Sequence, residues 1–183
     1  RYDNALSSVF QFKQKTGNAS RTQGNIRLSA TEFAAMLEGP LSRKKNITYL
    51  ASVRRSYLQL LFSLIDLPIR PNYWDFQTKI NYPINKKLNL SFIGIGALDE
   101  FSFTAPKEAS PEKLYVINAN PTIHQNSYTL GLSLKKAIPK GFWSLSISRN
   151  YLNNDLDKFE DNNDPVESER ILGIRSKETE NKL

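Results

Sequence analysis

The chain has 183 residues and a formal net charge of +7, with 39% apolar residues, 23% charged residues and no cysteine. Its mean hydropathy of −0.48 and the lack of any run of about 18 apolar residues exclude a helical membrane protein. The missing cysteines exclude disulfides and thiol chemistry. Nucleic acid is not an expected partner, because the cations gather in turns rather than on one face with aromatic residues between them. A transmembrane β-barrel is compatible with this composition, since only every second residue of its strands must be apolar.

Alternating apolar and polar residues predict three strands in the first part of the chain, at residues 5–15, 23–38 and 47–54. Gly39-Pro40 ends the second strand, and a short turn with Arg43, Lys44 and Lys45 follows it. A long connection over residues 56–72 comes next. Within it, apolar residues from Leu58 to Ile65 fall at helical spacing, which predicts a short helix that is ended by the prolines at 68 and 71.

Two further strands, at Trp74–Tyr82 and around Leu88–Gly96, are joined by a turn with Lys86 and Lys87. Residues 99–126 form the longest predicted connection. The clearest pattern lies in residues 127–151, where leucines, an isoleucine and aromatics alternate with serines on both sides of a turn at 139–141. This pattern predicts two antiparallel strands with one apolar and one polar face each.

Short and long connections alternate along the chain. The short ones lie near residues 43, 85 and 138, and the long ones span 56–72, 99–126 and 152–169, before a final strand that begins at about Arg170. Bacterial outer-membrane barrels have short periplasmic turns at one end and long loops at the other. Strands of about ten residues, roughly 33 Å long and tilted by about 40°, would span the roughly 25 Å apolar band of such a barrel. The sequence therefore predicts an all-β antiparallel meander that forms part of a transmembrane β-barrel.

Aromatic residues and charges fit the same arrangement. The aromatics expected at strand ends, where strands cross the membrane interfaces, are Trp74, Tyr82, Tyr128, Trp143 and Tyr151. All three short turns are basic, and the long connections hold many of the acids. We hypothesise that the basic turns lie at anionic phospholipid headgroups. The alternative is that these lysines only keep the turns soluble and guard against edge pairing.

The sequence offers little catalytic chemistry. His124 is the only histidine and is expected to be an exposed loop residue. No catalytic triad, phosphate loop or metal motif can be assembled, so we expect no catalytic residue, no cofactor and no metal site. Residues 154–164 are rich in oxygen ligands that suit Ca²⁺, but Phe159 occupies a ligand slot of the EF-hand pattern and the required Gly is missing. A hydrated acidic loop is the default interpretation, with calcium as the alternative.

Asp3 to Lys15 contains an Asn-Ala-Leu-Ser turn, with Asp3 in the place of a usual Gly, that leads into a short apolar strand. This segment resembles the end of the plug domain of TonB-dependent outer-membrane receptors of the type found in Bacteroidetes, and other segments resemble the barrel of these receptors. Leu37 to Leu41 looks like the first periplasmic turn. Ser52–Leu58 and Asp75–Lys79 look like the strands on either side of the first outer loop, and Asn85–Gly96 looks like the next turn and strand.

The resemblance implies a roughly 22-stranded plugged barrel in the outer membrane of a Gram-negative bacterium. Residues 1–17 would be the last plug strand and the link to the barrel, and residues 18–183 the first third of the barrel. Both termini are interpreted as cut ends of a longer chain. The implied function is TonB-energised uptake of a scarce solute such as an iron chelate, a vitamin or a glycan. The implied partners are membrane lipid, the solute, and the TonB complex through an N-terminal part outside this sequence.

Ligand contacts are expected in the vestibule formed by the long loops and the adjacent strand ends. The candidate residues are Arg54, Arg55, Tyr57, Trp74 and Asp75. Structural ion pairing is the alternative for the two arginines. The competing interpretations of the whole chain are another outer-membrane barrel, such as a passive channel or adhesin, and a soluble β-barrel or sandwich that binds a ligand. An enzyme ranks last, for want of a site.

Overall fold

The computed structural model describes residues 12–108, 110–162 and 164–183. In these residues eight strands form one antiparallel sheet in which each strand pairs with the next along the chain. The strands are β1 (Gln23–Leu28), β2 (Glu32–Ser42), β3 (Ile47–Ser56), β4 (Ile69–Asn85), β5 (Leu88–Phe103), β6 (Thr122–Ile138), β7 (Gly141–Phe159) and β8 (Arg170–Lys182). The helices are α1 (Leu58–Leu64) and α2 (Pro111–Ala119), with a 3₁₀ turn at Glu167–Glu169. The predicted all-β meander is confirmed, and the sheet is open, with β1 and β8 at its edges.

The prediction of one long strand over residues 23–38 is wrong. Residues 23–38 form a hairpin of β1 and β2 instead, because the small residues 29–31 (Ser-Ala-Thr) make a turn. In that turn the amide of Ser29 donates to the carbonyl of Glu32 at 2.9 Å, and the amide of Glu32 donates to the Ser29 hydroxyl at 3.1 Å. Gly39-Pro40, which was expected to end the strand, lies inside β2. Of the strand predicted at 5–15, residues 12–15 are not in a strand, and residues 5–11 lie outside the described part of the chain.

The central strands are much longer than the ten residues expected. β4, β5, β6 and β7 contain 17, 16, 17 and 19 residues. The predicted connections therefore shrink to 57–68, 104–121 and 160–169, which we call loops 1, 2 and 3. The helix predicted in the first of these is confirmed as α1. Helix α2 in loop 2 was missed, although Ser110 accepts from the Lys113 amide as an N-cap and Pro111 begins the helix.

Connections at the two ends of the sheet differ in length, as predicted. The short-turn end holds residues 43–46, 86–87 and 139–140, and the loop end holds loops 1, 2 and 3. One connection departs from the pattern, since the three-residue turn at 29–31 lies at the loop end. Near the short-turn end, Asn46 adopts a left-handed φ of 51°, a conformation that asparagine tolerates better than most residues.

The two faces of the sheet differ near the short-turn end. Residues paired across neighbouring strands share a face. We call the face that carries Leu132 face A and the opposite one face B. One cross-strand row on face A is Ile80, Phe92, Leu132 and Ile147. The adjacent row on face B is Asn81, Ser91, Ser133 and Ser146. Face A is thus mostly apolar in this half of the sheet, with Arg149 as a charged exception, and face B is mostly polar, with Ile93 and Ile95 as exceptions.

Near the loop end the two faces exchange character. The face A row that crosses five strands there is Asn72, Glu100, His124, Asp155 and Arg175. The neighbouring face B row is Pro71, Phe101, Ile123, Leu156 and Ile174. Each of the long strands therefore shifts the phase of its apolar alternation partway along its length, and the apolar side of the sheet changes from face A to face B.

The apolar part of face A has a defined height, and we call it the apolar band. On β5 it runs from Leu88 to Leu98. Ten residue steps of about 3.3 Å give roughly 33 Å along the strand, or about 25 Å at the roughly 40° tilt of barrel strands. Its loop-end border carries Trp74, Tyr128 and Tyr151, the last two stacked at 5.1 Å. These aromatics were expected at strand ends, but they lie within their strands, at the border of the band.

Little of the apolar surface is buried. Among the described residues the buried hydrophobic side chains are Leu50 and Ile117. Leu130, Leu132, Leu145 and Ile147 in the apolar band remain 39–51% exposed, so they do not converge on a dry centre.

Residues 12–18 lie across face B near the short-turn end. Glu38, Leu50 and Lys79 form one cross-strand row there. The Lys15 ammonium lies 2.8 Å from the Glu38 carboxylate, and Lys79 donates to the Gln14 carbonyl at 2.6 Å. Leu50, between these two contacts, is only 4% exposed. Gly17 is required at its position, because a Cβ there would lie 2.0 Å from the Tyr49 carbonyl oxygen. The segment that precedes the sheet thus covers its polar face.

Candidate functional site

Arg54 and Asp75 of the predicted vestibule form an ion pair on face B. They occupy paired positions of β3 and β4, and the Arg54 Nε donates to the Asp75 carboxylate at 2.6 Å. The same guanidinium lies 3.7 Å from Glu32 of β2 and 5.3 Å from the centre of the Tyr73 ring. Because Arg27 is also paired with Glu32, four charges from four strands are joined in one network. The alternative interpretation of Arg54, structural ion pairing, describes these contacts.

The other three predicted residues lie elsewhere. Arg55 is directed to face A, where its guanidinium stacks 4.6 Å from the centre of the Trp74 ring, at the border of the apolar band. The Tyr57 hydroxyl donates to the carbonyls of Glu32, at 3.0 Å, and of Ser29. It therefore fastens the turn at 29–31 to the start of loop 1. The five residues do not form one site, because neighbours on a strand point to opposite faces.

The sequence reasoning missed an aromatic surface that lies on face B above the Arg54–Asp75 pair, towards the loops. We call it the upper patch. It comprises Pro71, Tyr73, Phe101, Phe103, Ile123 and Leu156. The rings of Phe101 and Phe103 meet edge to face at 5.2 Å. These side chains are partly buried, and below them a depression of about 120 Å³ is lined by Arg54, Asp75, Ala97 and Ser127.

The upper patch and the charged network together suit a ligand with both apolar and polar parts. Aromatic and apolar side chains supply contact area, and a few convergent charges fix orientation. The signal that could have revealed the patch is the phase shift of the alternation after Leu98. There the apolar positions change from Leu90, Phe92 and Leu98 to Phe101 and Phe103.

Loops 1 and 2 are joined by one carboxylate. Asp66 follows α1 with a left-handed φ of 54°. It accepts from the backbone amides of Lys107 at 2.8 Å and Glu108 at 3.3 Å, and it pairs with the Lys113 ammonium of α2. The hydrogen bond from Lys113, followed by the one from the Lys107 amide, lowers the pKa of Asp66 to about 2. Asp66 therefore stays ionised and holds the two loops together.

Loops 2 and 3 are joined by one asparagine. Asn162 is a buried residue, with 8% of its surface exposed. Its amide donates to the carbonyls of Ile117 at 2.6 Å and Asn120 at 2.9 Å, and its oxygen accepts from the Phe159 amide at 2.9 Å. Asn162 thereby satisfies carbonyls at the C-terminal end of α2 and ties loop 3 to fully buried Ile117. Asp66 and Asn162 together link all three loops into one cap at the loop end.

The acidic segment at 154–164, predicted as loop, is mostly strand. Residues 154–159 belong to β7. There the Arg175 guanidinium donates to both carboxylate oxygens of Asp157 at 2.8 Å each and lies 3.7 Å from Asp155. In the described part of the chain no group of three or more His, Cys, Asp or Glu is arranged to hold a metal ion. His124, expected in a loop, is an exposed residue of β6, paired across strands with Glu100 and Asp155.

Comparison with known proteins gives no family. No family model matches the chain, and neither a curated protein nor a solved structure matches it. Among the described residues, no helix combines the length and apolar content needed to cross a bilayer.

Proposed function

We propose that this chain is part of the barrel of an outer-membrane receptor of the TonB-dependent kind, which takes up a scarce solute. The observation that carries the proposal is the exchange of the apolar side between the two halves of the sheet. A lipid-exposed strand needs apolar residues outside and polar residues inside only within the membrane. Beyond the membrane the outside meets water, and the inside can be apolar.

The height of the apolar band supports this proposal. About 25 Å matches the apolar band of outer-membrane barrels, and aromatic residues mark its loop-end border as they mark membrane interfaces. The remaining residues of β4–β7 would then project beyond the outer leaflet and carry the cap made by loops 1, 2 and 3.

The segment at residues 12–18 supports a plugged barrel rather than an empty one. It lies on face B, which is the inner face in this proposal, and it covers Leu50 through the contacts of Lys15 and Gln14. A chain that enters the sheet from its inner side in this way is what a plug domain preceding the barrel requires.

The upper patch and the Arg54–Asp75 network are the proposed solute contacts. Both lie on face B, the inner face in this proposal, in the half of the sheet next to the loops. A solute with aromatic or sugar rings and a few polar groups suits the combination of Tyr73, Phe101 and Phe103 with the adjacent charges. Its energised uptake would depend on the TonB complex at the inner membrane.

An uptake assay in the bacterium that carries the gene tests the proposal. We expect deletion of the gene to abolish uptake of one radiolabelled compound from a panel of iron chelates, cobalamins and oligosaccharides. A protonophore that collapses the inner-membrane gradient should abolish the same uptake in the parent strain. Uptake that requires the gene but resists the protonophore would indicate a passive channel. Unchanged uptake, with the protein in the soluble fraction, would indicate a soluble binding module.

A further inference from the structure

A groove separates the first two short turns, at the end of the sheet opposite the loops. Its volume is about 550 Å³, and its lining includes Lys44, Lys45, Tyr82, Ile84 and Lys86. Turn 43–46 forms one wall, and turn 86–87 with the end of β4 forms the other. All three lysines are exposed.

The three ammonium groups of the groove lack a counter-charge among the residues that the structure describes. No ion pair involving them occurs within the described ranges. The sequence has no Asp or Glu between residues 39 and 65 or between 76 and 98, so the strand residues next to these turns supply none either. Three positive charges close together repel one another and favour an anionic ligand between them.

The groove is held in shape by its own turns. The Asn85 side chain accepts from the amides of Lys87 at 2.9 Å and Leu88 at 3.0 Å, which fixes the tight turn between β4 and β5. In the other wall, the Asn46 amide donates to the Arg43 carbonyl at 3.3 Å. The lysine backbones are therefore positioned before any ligand arrives, which lowers the entropic cost of binding.

The apolar part of the groove points to the class of ligand. Tyr82 lies at the short-turn border of the apolar band, on face A, and Ile84 next to it is 42% exposed. Free phosphate needs only the amines and would leave these two side chains without a role. A ligand with a phosphate at one end and a hydrocarbon chain at the other matches both parts.

We propose that this groove binds the phosphate of an anionic phospholipid headgroup, with Lys44, Lys45 and Lys86 on the phosphate and Tyr82 and Ile84 along the glycerol and upper acyl chain. The proposal rests on the membrane location given above. It makes the groove a lipid site of defined position, distinct from a diffuse attraction of basic turns to a charged surface.

The third short turn provides a matched control. Three lysines lie in it or near the end of β6 that leads into it, namely Lys135, Lys136 and Lys140. The Lys135 ammonium, however, lies over the Phe142 ring, 3.9 Å from its centre. A variant with Gln at all three of these positions loses the same net charge as K44Q/K45Q/K86Q. Any difference between the two triple variants therefore reports the groove and not the net charge.

Native mass spectrometry of the protein, released from neutral detergent, measures lipid binding. About 0.15 M ammonium acetate screens the diffuse attraction between charged surfaces. We expect phosphatidylglycerol to bind at least about tenfold more tightly than phosphatidylcholine. K44Q/K45Q/K86Q should lower the phosphatidylglycerol affinity by about a hundredfold, since each lysine is worth about fivefold near an anionic headgroup. K135Q/K136Q/K140Q should lower it by less than about fivefold.

Two results would overturn the lipid site. Equal losses in the two triple variants would mean that only net charge matters. Full competition by millimolar inorganic phosphate would mean that the groove is a site for free anions. Failure of the membrane proposal itself has a different signature: the protein stays monodisperse without detergent and does not insert into phosphatidylcholine vesicles.

Discussion

The two halves of this sheet use the same strands but carry their apolar residues on opposite faces. Near the short turns Ile80, Phe92 and Leu132 share face A. Near the loops Phe101 and Ile123 share face B, and face A carries Glu100 and His124. A strand that crosses from lipid into water, as proposed above, would explain the difference. A β-sandwich that packs one face of each sheet along its whole length would not. The comparison teaches that the phase of the alternation, and not its presence alone, shows which side of a sheet is apolar at each level of its strands.

The largest expected effect comes from a charge placed in the middle of the apolar band. Leu132→Arg should lower the free energy of unfolding in lipid vesicles by about 2–4 kcal/mol, because face A would have to bury the guanidinium in hydrocarbon. Denaturant titration followed by tryptophan fluorescence measures it.

The control lies one residue away on the other face. Ser133→Arg should change the free energy of unfolding by less than about 1 kcal/mol, because face B is polar at this level. Equal costs for the two substitutions would break the comparison between the faces in this half of the sheet.

The second effect tests the half of the sheet next to the loops, where the faces are exchanged. Phe101→Ala should cost about 1–2 kcal/mol of unfolding free energy, since a partly buried ring loses part of the roughly 3–5 kcal/mol of a fully buried one. The exposed His124→Ala, on the opposite face, should cost less than about 0.5 kcal/mol. If His124 proved the more sensitive of the two, the exchange of faces would be wrong.

The sequence predicted the architecture better than the strand lengths. The short turns, the helix α1 and the amphipathic hairpin at 127–151 follow from local turn chemistry and strict alternation. The prediction of a connection over 99–126 is wrong for residues 99–103 and 122–126, which are strand and whose apolar residues fall on the other face. The hairpin at 29–31 was missed because its turn contains neither Gly nor Pro. Side-chain contacts across loops, such as those of Asp66 and Asn162, depend on three-dimensional proximity that no sequence spacing encodes.

A third effect concerns the cap above the loop end. In Asn162→Ala the Phe159 amide should exchange with solvent about 10-fold faster or more. The reason is that a buried polar side chain that satisfies three backbone groups stabilises the folded state by about 1–3 kcal/mol. Hydrogen exchange followed by mass spectrometry measures the peptide around residue 159. Replacement of the exposed Asn126 by Ala serves as the control and should leave the exchange unchanged. Unchanged exchange in Asn162→Ala as well would mean that loops 2 and 3 are not joined through this side chain.

The smallest effect is a pH dependence of the contact between loops 1 and 2. The pKa of Asp66 is lowered from 3.8 to about 2 by Lys113 and the Lys107 amide. A lowered pKa means that the contact stabilises the folded state above about pH 4 and is lost as the pH falls from about 4 to about 2. The amide exchange of Lys107, corrected for intrinsic rates, should rise over this window. In Asp66→Asn the rise should be absent and the exchange already fast at neutral pH. A wild-type protein with no change between pH 4 and 2 would contradict the assignment.

The most direct test of the exchange of faces uses nitroxide labels in vesicles, which is simple because the chain has no cysteine of its own. Labels at Leu132→Cys and Ser133→Cys probe the apolar band, and labels at Glu100→Cys and Phe101→Cys probe the strand beyond it. The account predicts that position 132 collides with dissolved oxygen and is shielded from a water-soluble nickel chelate, whereas position 100, on the same face, collides freely with the chelate. Positions 133 and 101 should be less accessible to oxygen than position 132. Equal oxygen accessibility at 100 and 132, or free collision of the label at 132 with the nickel chelate, would contradict it.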